Sequence, residues 1–150
     1  MTGEGAAGIV KGRPADAAER ALYEEARAVA DRAYAPYSGL AVGAVLVGSS
    51  GTRHHGVNVE NASYPAGVCA ERVALGALVA AGDREVRAVA VAAADGRQLA
   101  PCGLCLQALA ELGDPDIVCR LGVGLRVVAL HELLTSPFVL SQDPPRGGRS

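Results

Sequence analysis

The sequence predicts an α/β domain, a three-layer α/β/α sandwich built on a mixed sheet of about five strands. Three observations carry that expectation. Segments with helical spacing of apolar residues alternate with short runs rich in Val and Ala. One run, residues 86–93 (VRAVAVAA), is apolar at almost every position, as a buried strand is. Helices that alternate with strands must cover the sheet, and layered packing is the usual solution.

The elements follow in order. The first 14 residues are rich in Gly and small side chains and read as a frayed end. Asp16 is placed to cap a helix running to about residue 32, with Ala18, Leu22, Ala26, Val29 and Ala30 at helical spacing. A Pro-containing stretch, residues 34–39 (YAPYSG), breaks the chain. Residues 40–47 and 55–60 read as a strand pair around the turn GSSG at 48–51. A loop over 61–68 leads to a helix over 69–81, ended by Gly82. After the strand at 86–93, Pro101 suits the first turn of a helix over 102–112. Residues 117–121 and 125–130 read as short strands, 131–134 as a short helix, and 141–150 (SQDPPRGGRS) as a disordered tail.

At 150 residues the chain is the size of one domain. Half of it is apolar, enough for a core. Fourteen Lys and Arg stand against 16 Asp and Glu, a net charge of −2. With no basic excess, no Trp, four Tyr and one Phe, a nucleic-acid polymer is a poor partner. No apolar run approaches membrane-spanning length, and the start lacks a basic segment followed by an apolar stretch. A soluble cytoplasmic protein is the expectation.

Two segments carry chemistry: Cys69-Ala70-Glu71 and Pro101-Cys102-Gly103-Leu104-Cys105. Both fall at expected helix starts, where free N–H groups and the macrodipole favour thiolates. Cys102 and Cys105 can reach one ion from a single turn, and Cys69 supplies a third sulfur. Three protein ligands on a zinc ion leave a tetrahedral position for water, the arrangement of a catalytic site. Glu71, two residues past Cys69, lies near the metal without being a ligand and can move protons. Three thiolates weaken the Lewis acidity of zinc, and Arg72 is the cation placed to offset that. Ligand-x-Glu followed by Pro-Cys-x-x-Cys is the zinc deaminase pattern, with Cys for His at the first position. A redox pair and a structural zinc remain open, the latter with Cys119, His54, His55 or His131 as a fourth ligand. Cys119 otherwise reads as a core thiol.

Further segments extend the pattern: residues 35–38 (APYS), Val42-Gly43-Ala44, Asn58-Val59-Glu60-Asn61-Ala62, Tyr64-Pro65, Cys69-Ala70-Glu71-Arg72, Pro101-Cys102-Gly103 with Cys105 and Gln107, and Glu132-Leu133-Leu134 with Phe138. Together, over roughly residues 17–139, they resemble the small homotetrameric cytidine deaminases. The resemblance implies hydrolytic deamination of cytidine or deoxycytidine with release of ammonia, one zinc ion, and sites shared between subunits of a homotetramer.

The resemblance also implies roles. Asn58 and Glu60 would contact the ribose 3′-hydroxyl, and Ala62 and Tyr64 the ribose 5′ end in a neighbouring subunit. Ala70 would offer its N–H to the pyrimidine carbonyl, and Glu71 would contact the ring nitrogen. Arg72 would hydrogen-bond the thiolates. Phe138 would reach a base in another subunit. The residues alone also allow a solvated turn at 58–60, a packing role for Tyr64, a surface role for Arg72 and a core role for Phe138. Leu40 stands where the family usually has a Phe against the pyrimidine, and Leu106 where an Arg is common. Leu40 motivates an alternative, a deaminase of a modified cytosine nucleoside of the blasticidin type. From another class, a non-catalytic zinc protein is the competing reading.

Overall fold

The computed structural model describes residues 11–122 and 124–140. Strands β1 (Arg13–Pro14), β2 (Val42–Gly48), β3 (Arg53–Val57), β4 (Val86–Ala93), β5 (Asp116–Leu121) and β6 (Gly124–Ala129) form one sheet in the order β1-β6-β5-β4-β2-β3. Only β4 and β5 pair in parallel; the other neighbours are antiparallel. Helix α1 (Ala17–Ala30) covers one face, where Leu22, Tyr23 and Ala26 pack with Val45, Ala90, Ala92 and Val118. Helices α2 (Ala70–Ala80), α3 (Gly103–Ala110) and α4 (Leu130–Leu133) occupy the other, packed against Val42, Ala44, Leu46, Val89, Val91 and Ile117. The domain is the expected α/β/α sandwich. Among the described residues no helix is long and apolar enough to cross a membrane.

Asp16 caps α1 through a reciprocal box. Its carboxylate accepts from the Glu19 N–H at 2.9 Å, and its own N–H donates to Glu19 Oε2 at 2.8 Å. The sheet has six strands rather than five because residues 13–14, expected to fray, pair with Val127 and Arg126 of β6. Two residues give no readable alternation. The signal lies in Gly12, whose φ of 79° is left-handed and whose missing Cβ would meet the Val127 carbonyl oxygen at 2.2 Å. The expected tail at 141–150 lies outside the described residues.

Strand β3 stops at Val57 instead of running to residue 60. Past it the chain takes new partners: Val59 bridges Tyr34 in parallel and Val68 antiparallel. Asn58 keeps one backbone bond to β2, its N–H donating to the Val42 carbonyl at 3.2 Å, while the side chains of Asn58 and Glu60 turn to residues 37–42.

One glycine sets how closely the Cys69-Ala70-Glu71 segment approaches the sheet. A Cβ on Gly56 would lie 2.2 Å from the Ala70 carbonyl oxygen and 2.5 Å from the Ala74 nitrogen. The first turn of α2 therefore rests directly on the β3 backbone. Gly56→Ala must push α2 outward, an overpacking that costs about 1–3 kcal/mol. The expected outcome is a lower Tm with reduced zinc content, read by calorimetry and metal analysis on one sample.

Candidate active site

Cys69 is the N-cap of α2 and Cys102 the N-cap of α3, both in extended backbone. The helices therefore begin one residue later than the sequence suggests, and each cap residue presents its sulfur beside free N–H groups. Cys105 follows inside the first turn of α3 and is buried. The Sγ atoms of Cys69, Cys102 and Cys105 all lie within 4.8 Å of one another. Three thiolates at a zinc bond length of about 2.3 Å sit roughly 3.8 Å apart in a tetrahedron, so small rotamer changes bring this set onto one ion. Sulfur-rich donors in this geometry suit zinc.

The remaining candidates for a fourth ligand do not join the three sulfurs. Cys119 is buried in β5, where burial pushes its thiol up to about 12. His55 bonds Glu25 at 2.6 Å, and His131 bonds Asp114 at 2.6 Å. His54 is buried on β3, with Nε2 unpartnered. Among the described residues the three cysteines are the one group of three or more His, Cys, Asp or Glu side chains close enough to share a metal.

Glu71 lies on the first turn of α2 and is only 4% exposed. Burial raises its carboxyl above the ordinary range, opposed by its own backbone N–H and the Cys105 side chain. Burial also raises the thiols of Cys69 and Cys105. For Cys102 the same burial is outweighed by hydrogen bonds, led by the Cys105 N–H and joined by that of Leu104, so its thiol is lowered. A cation held among the sulfurs favours the thiolate at all three.

A cavity of about 210 Å³ opens on this cluster. Cys69, Cys102, Ala70 and Glu71 form its floor chemistry, Asn58 and Glu60 its polar side, and Leu40, Val42, Leu99 and Ala100 its apolar wall. Leu40, Asn58, Glu60 and Ala70, named from the sequence, thus converge on one cavity with Cys69 and Cys102. Leu99 and Ala100 were not foreseen; the available signal was their position just ahead of Pro101-Cys102.

The other named residues lie apart within one chain. Tyr64 starts a 3-10 turn (Tyr64–Ala66), is 78% exposed, and meets the Tyr37 ring edge-on at 6.3 Å. The two tyrosines rim a second cavity of about 330 Å³ that shares Ser38 and Glu60 with the first. Ala62 is exposed on the preceding loop. Phe138 is 71% exposed, which removes the core role left open for it. Its backbone N–H and C=O pair with the Gln107 amide at 2.8 and 3.0 Å. Arg72 is half-buried on α2 beside Glu71, and its guanidinium makes no hydrogen bond among the described residues.

Three sulfurs that can share an ion, a cavity open beside them and a buried carboxyl at its edge define the class: a catalytic zinc protein rather than a structural one. Residues 17–121 match the family described as the cytidine and deoxycytidylate deaminase zinc-binding region, and the chain belongs to that family. It is 41% identical over 120 residues to a cytidine deaminase of Halalkalibacterium halodurans, covering 78% of this chain and 91% of that one. The crystal structure of a cytidine deaminase from Burkholderia pseudomallei superposes with a TM-score of 0.72 at 44% identity, over 79% of this chain and 98% of the other. The Mycobacterium tuberculosis cytidine deaminase gives 0.75 at 37% identity, over 83% and 100%.

Proposed function

We infer that this protein is a zinc-dependent hydrolytic deaminase that converts cytidine or deoxycytidine to the uridine product and ammonia. The observation that carries the reading is the convergence of Cys69, Cys102 and buried Glu71 on one cavity, with the Cys105 sulfur within 4.8 Å of the other two. Zinc, when bound, supplies a Lewis acid that makes water nucleophilic near neutral pH.

The chain's own residues do the rest. Ala70, at the first turn of α2, is placed to offer its N–H to the pyrimidine carbonyl. Glu71 would take a proton from the attacking water and give it to N3 as the C4–O bond forms, then move the C4 hydroxyl proton to the exocyclic amine as the C4–N bond breaks and the C4 carbonyl forms, which returns the carboxylate to its starting state. A carboxyl raised by burial holds a proton more readily than an exposed one, which suits it to that traffic. Asn58 and Glu60 face the sugar, and Leu40, Val42 and Leu99 face the ring. Arg72, next to Glu71 on α2, makes none of the expected hydrogen bonds to the sulfurs among the described residues, and its part in tempering the thiolate charge rests on its sequence position.

The reading extends to a homotetramer with shared sites, working in the cytoplasm in pyrimidine salvage. Exposed Ala62, Tyr64 and Phe138 support the shared site, since they lie outside this chain's own cavity and are free to reach another's. Sedimentation of active enzyme as a tetramer is the expected result; a fully active monomer contradicts it.

The direct test is product formation from cytidine, deoxycytidine, CMP and cytosine, with zinc measured in the same sample. Brisk turnover of the two nucleosides is expected, and turnover of none of the four overturns the reading. Among the described residues the cavity has no aromatic lining residue. Leu40→Phe restores a ring against the pyrimidine and lowers KM for cytidine about 2- to 10-fold, the range of one aromatic contact. A rise in KM instead shows that the aliphatic wall is fitted to a different base.

A further inference from the structure

The cavity wall formed by Ser38, Leu40 and Val42 belongs to no strand until Val42. Side chains hold it in place. Glu60 Oε2 accepts from the Tyr37 and Ser38 N–H groups at 2.9 and 3.2 Å, and Glu60 Oε1 accepts from the Ser38 hydroxyl. Ser38 Oγ in turn accepts the Leu40 N–H at 3.0 Å. Asn58 donates to the Leu40 carbonyl at 2.8 Å and accepts from the Val42 N–H at 2.8 Å. Leu40 is thus gripped at its N–H by Ser38 and at its C=O by Asn58.

Ser38 is the member that joins the two halves of this network. Its hydroxyl donates to the carboxylate on the polar side of the cavity and accepts from the backbone of the apolar wall. A carboxylate offers about four acceptor sites. Three at Glu60 are filled from residues 37 and 38, which leaves acceptor capacity for a substrate hydroxyl and fixes where it points.

We propose that Ser38 is a positioning residue that couples sugar recognition at Glu60 to the placement of the base wall at Leu40. The inference rests on Glu60 as the sugar contact. Without the Ser38 hydroxyl, Glu60 Oε1 loses its anchor and the Leu40 N–H loses its acceptor, so a substrate with the 3′-hydroxyl is penalised more than one without it.

The test compares cytidine with 3′-deoxycytidine in the zinc-loaded wild type and in Ser38→Ala, Ser38→Thr and Glu60→Gln. Ser38→Ala should raise KM for cytidine about tenfold, the scale of one lost hydrogen bond to a charged group, with kcat within about threefold. For 3′-deoxycytidine the same variant should raise KM by less than about threefold, and Ser38→Thr, which keeps the hydroxyl, should return both values to within about threefold of wild type. Equal penalties on the two substrates, or no rescue by Thr, overturn the proposal. If Ser38→Ala fails to fold, Ser38→Cys is measured in its place; the same asymmetry is expected, and its absence is equally fatal. Glu60→Gln separates the two levels: if it treats both substrates alike, the sugar contact itself is misassigned.

Discussion

Replacing Glu71 with Gln is expected to lower kcat about 10²–10⁴-fold, the usual contribution of a positioned proton carrier, while zinc remains at one ion per chain. Gln matches Glu in shape and can still accept a hydrogen bond, but it cannot give up or take a proton. The side chain is 4% exposed and its burial disfavours the charged form, so the amide removes a costly ionisation and the fold should be no less stable. The two measurements separate chemistry from structure. A Tm at or above that of the wild type, full zinc and a collapsed kcat support the proton-carrier role. If turnover survives in the zinc-replete variant, protons travel by another route. Loss of zinc together with activity assigns Glu71 to holding the metal site.

That experiment concerns the part of the site most legible in the sequence. The spacing of Cys69, Glu71, Cys102 and Cys105 points to a sulfur cluster with a carboxyl beside it, because ligand chemistry permits few residue types and helix starts permit few spacings. The central strands were legible for a similar reason: β4 is apolar at nearly every position because both of its faces are covered. What escaped were features fixed by backbone contacts between distant segments. The pairing of Arg13 and Pro14 with β6 depends on a close approach at Gly12. The early end of β3 depends on Val59 finding Tyr34 and Val68. That early end gives the cavity its polar side, so the positions of Asn58 and Glu60 could be named from sequence while their grip on Ser38 and Leu40 could not. Leu99 and Ala100 join the wall through a bridge from Leu99 to Arg120, a tertiary pairing with no local pattern.

Cys102→Ser, the second large effect, tests whether the metal fastens the fold as well as serving the chemistry. The sulfurs come from two elements, Cys69 capping α2 and Cys102 and Cys105 opening α3, so an ion among them ties the starts of two helices together. A ligand that binds only the folded state stabilises it by about 4 kcal/mol at a thousandfold excess over Kd. For 150 residues, each kcal/mol is worth about 2–4 °C, so stripping zinc with a chelator should lower Tm by about 8–16 °C. Some binding of zinc to unfolded thiols would reduce that figure. Cys102→Ser should lose the metal and turnover together and melt near the chelated wild type. It should then show little further change when chelator is added. Cys102 is itself exposed, so the substitution removes little packing, and the shift it causes reports the metal. Cys105→Ser should melt lower still, because that side chain is fully buried and the new hydroxyl has to be satisfied inside the core. A Cys102→Ser protein that keeps stoichiometric zinc, or whose Tm falls on chelation as far as the wild type's does, would remove Cys102 from the ligand set and with it the three-sulfur site.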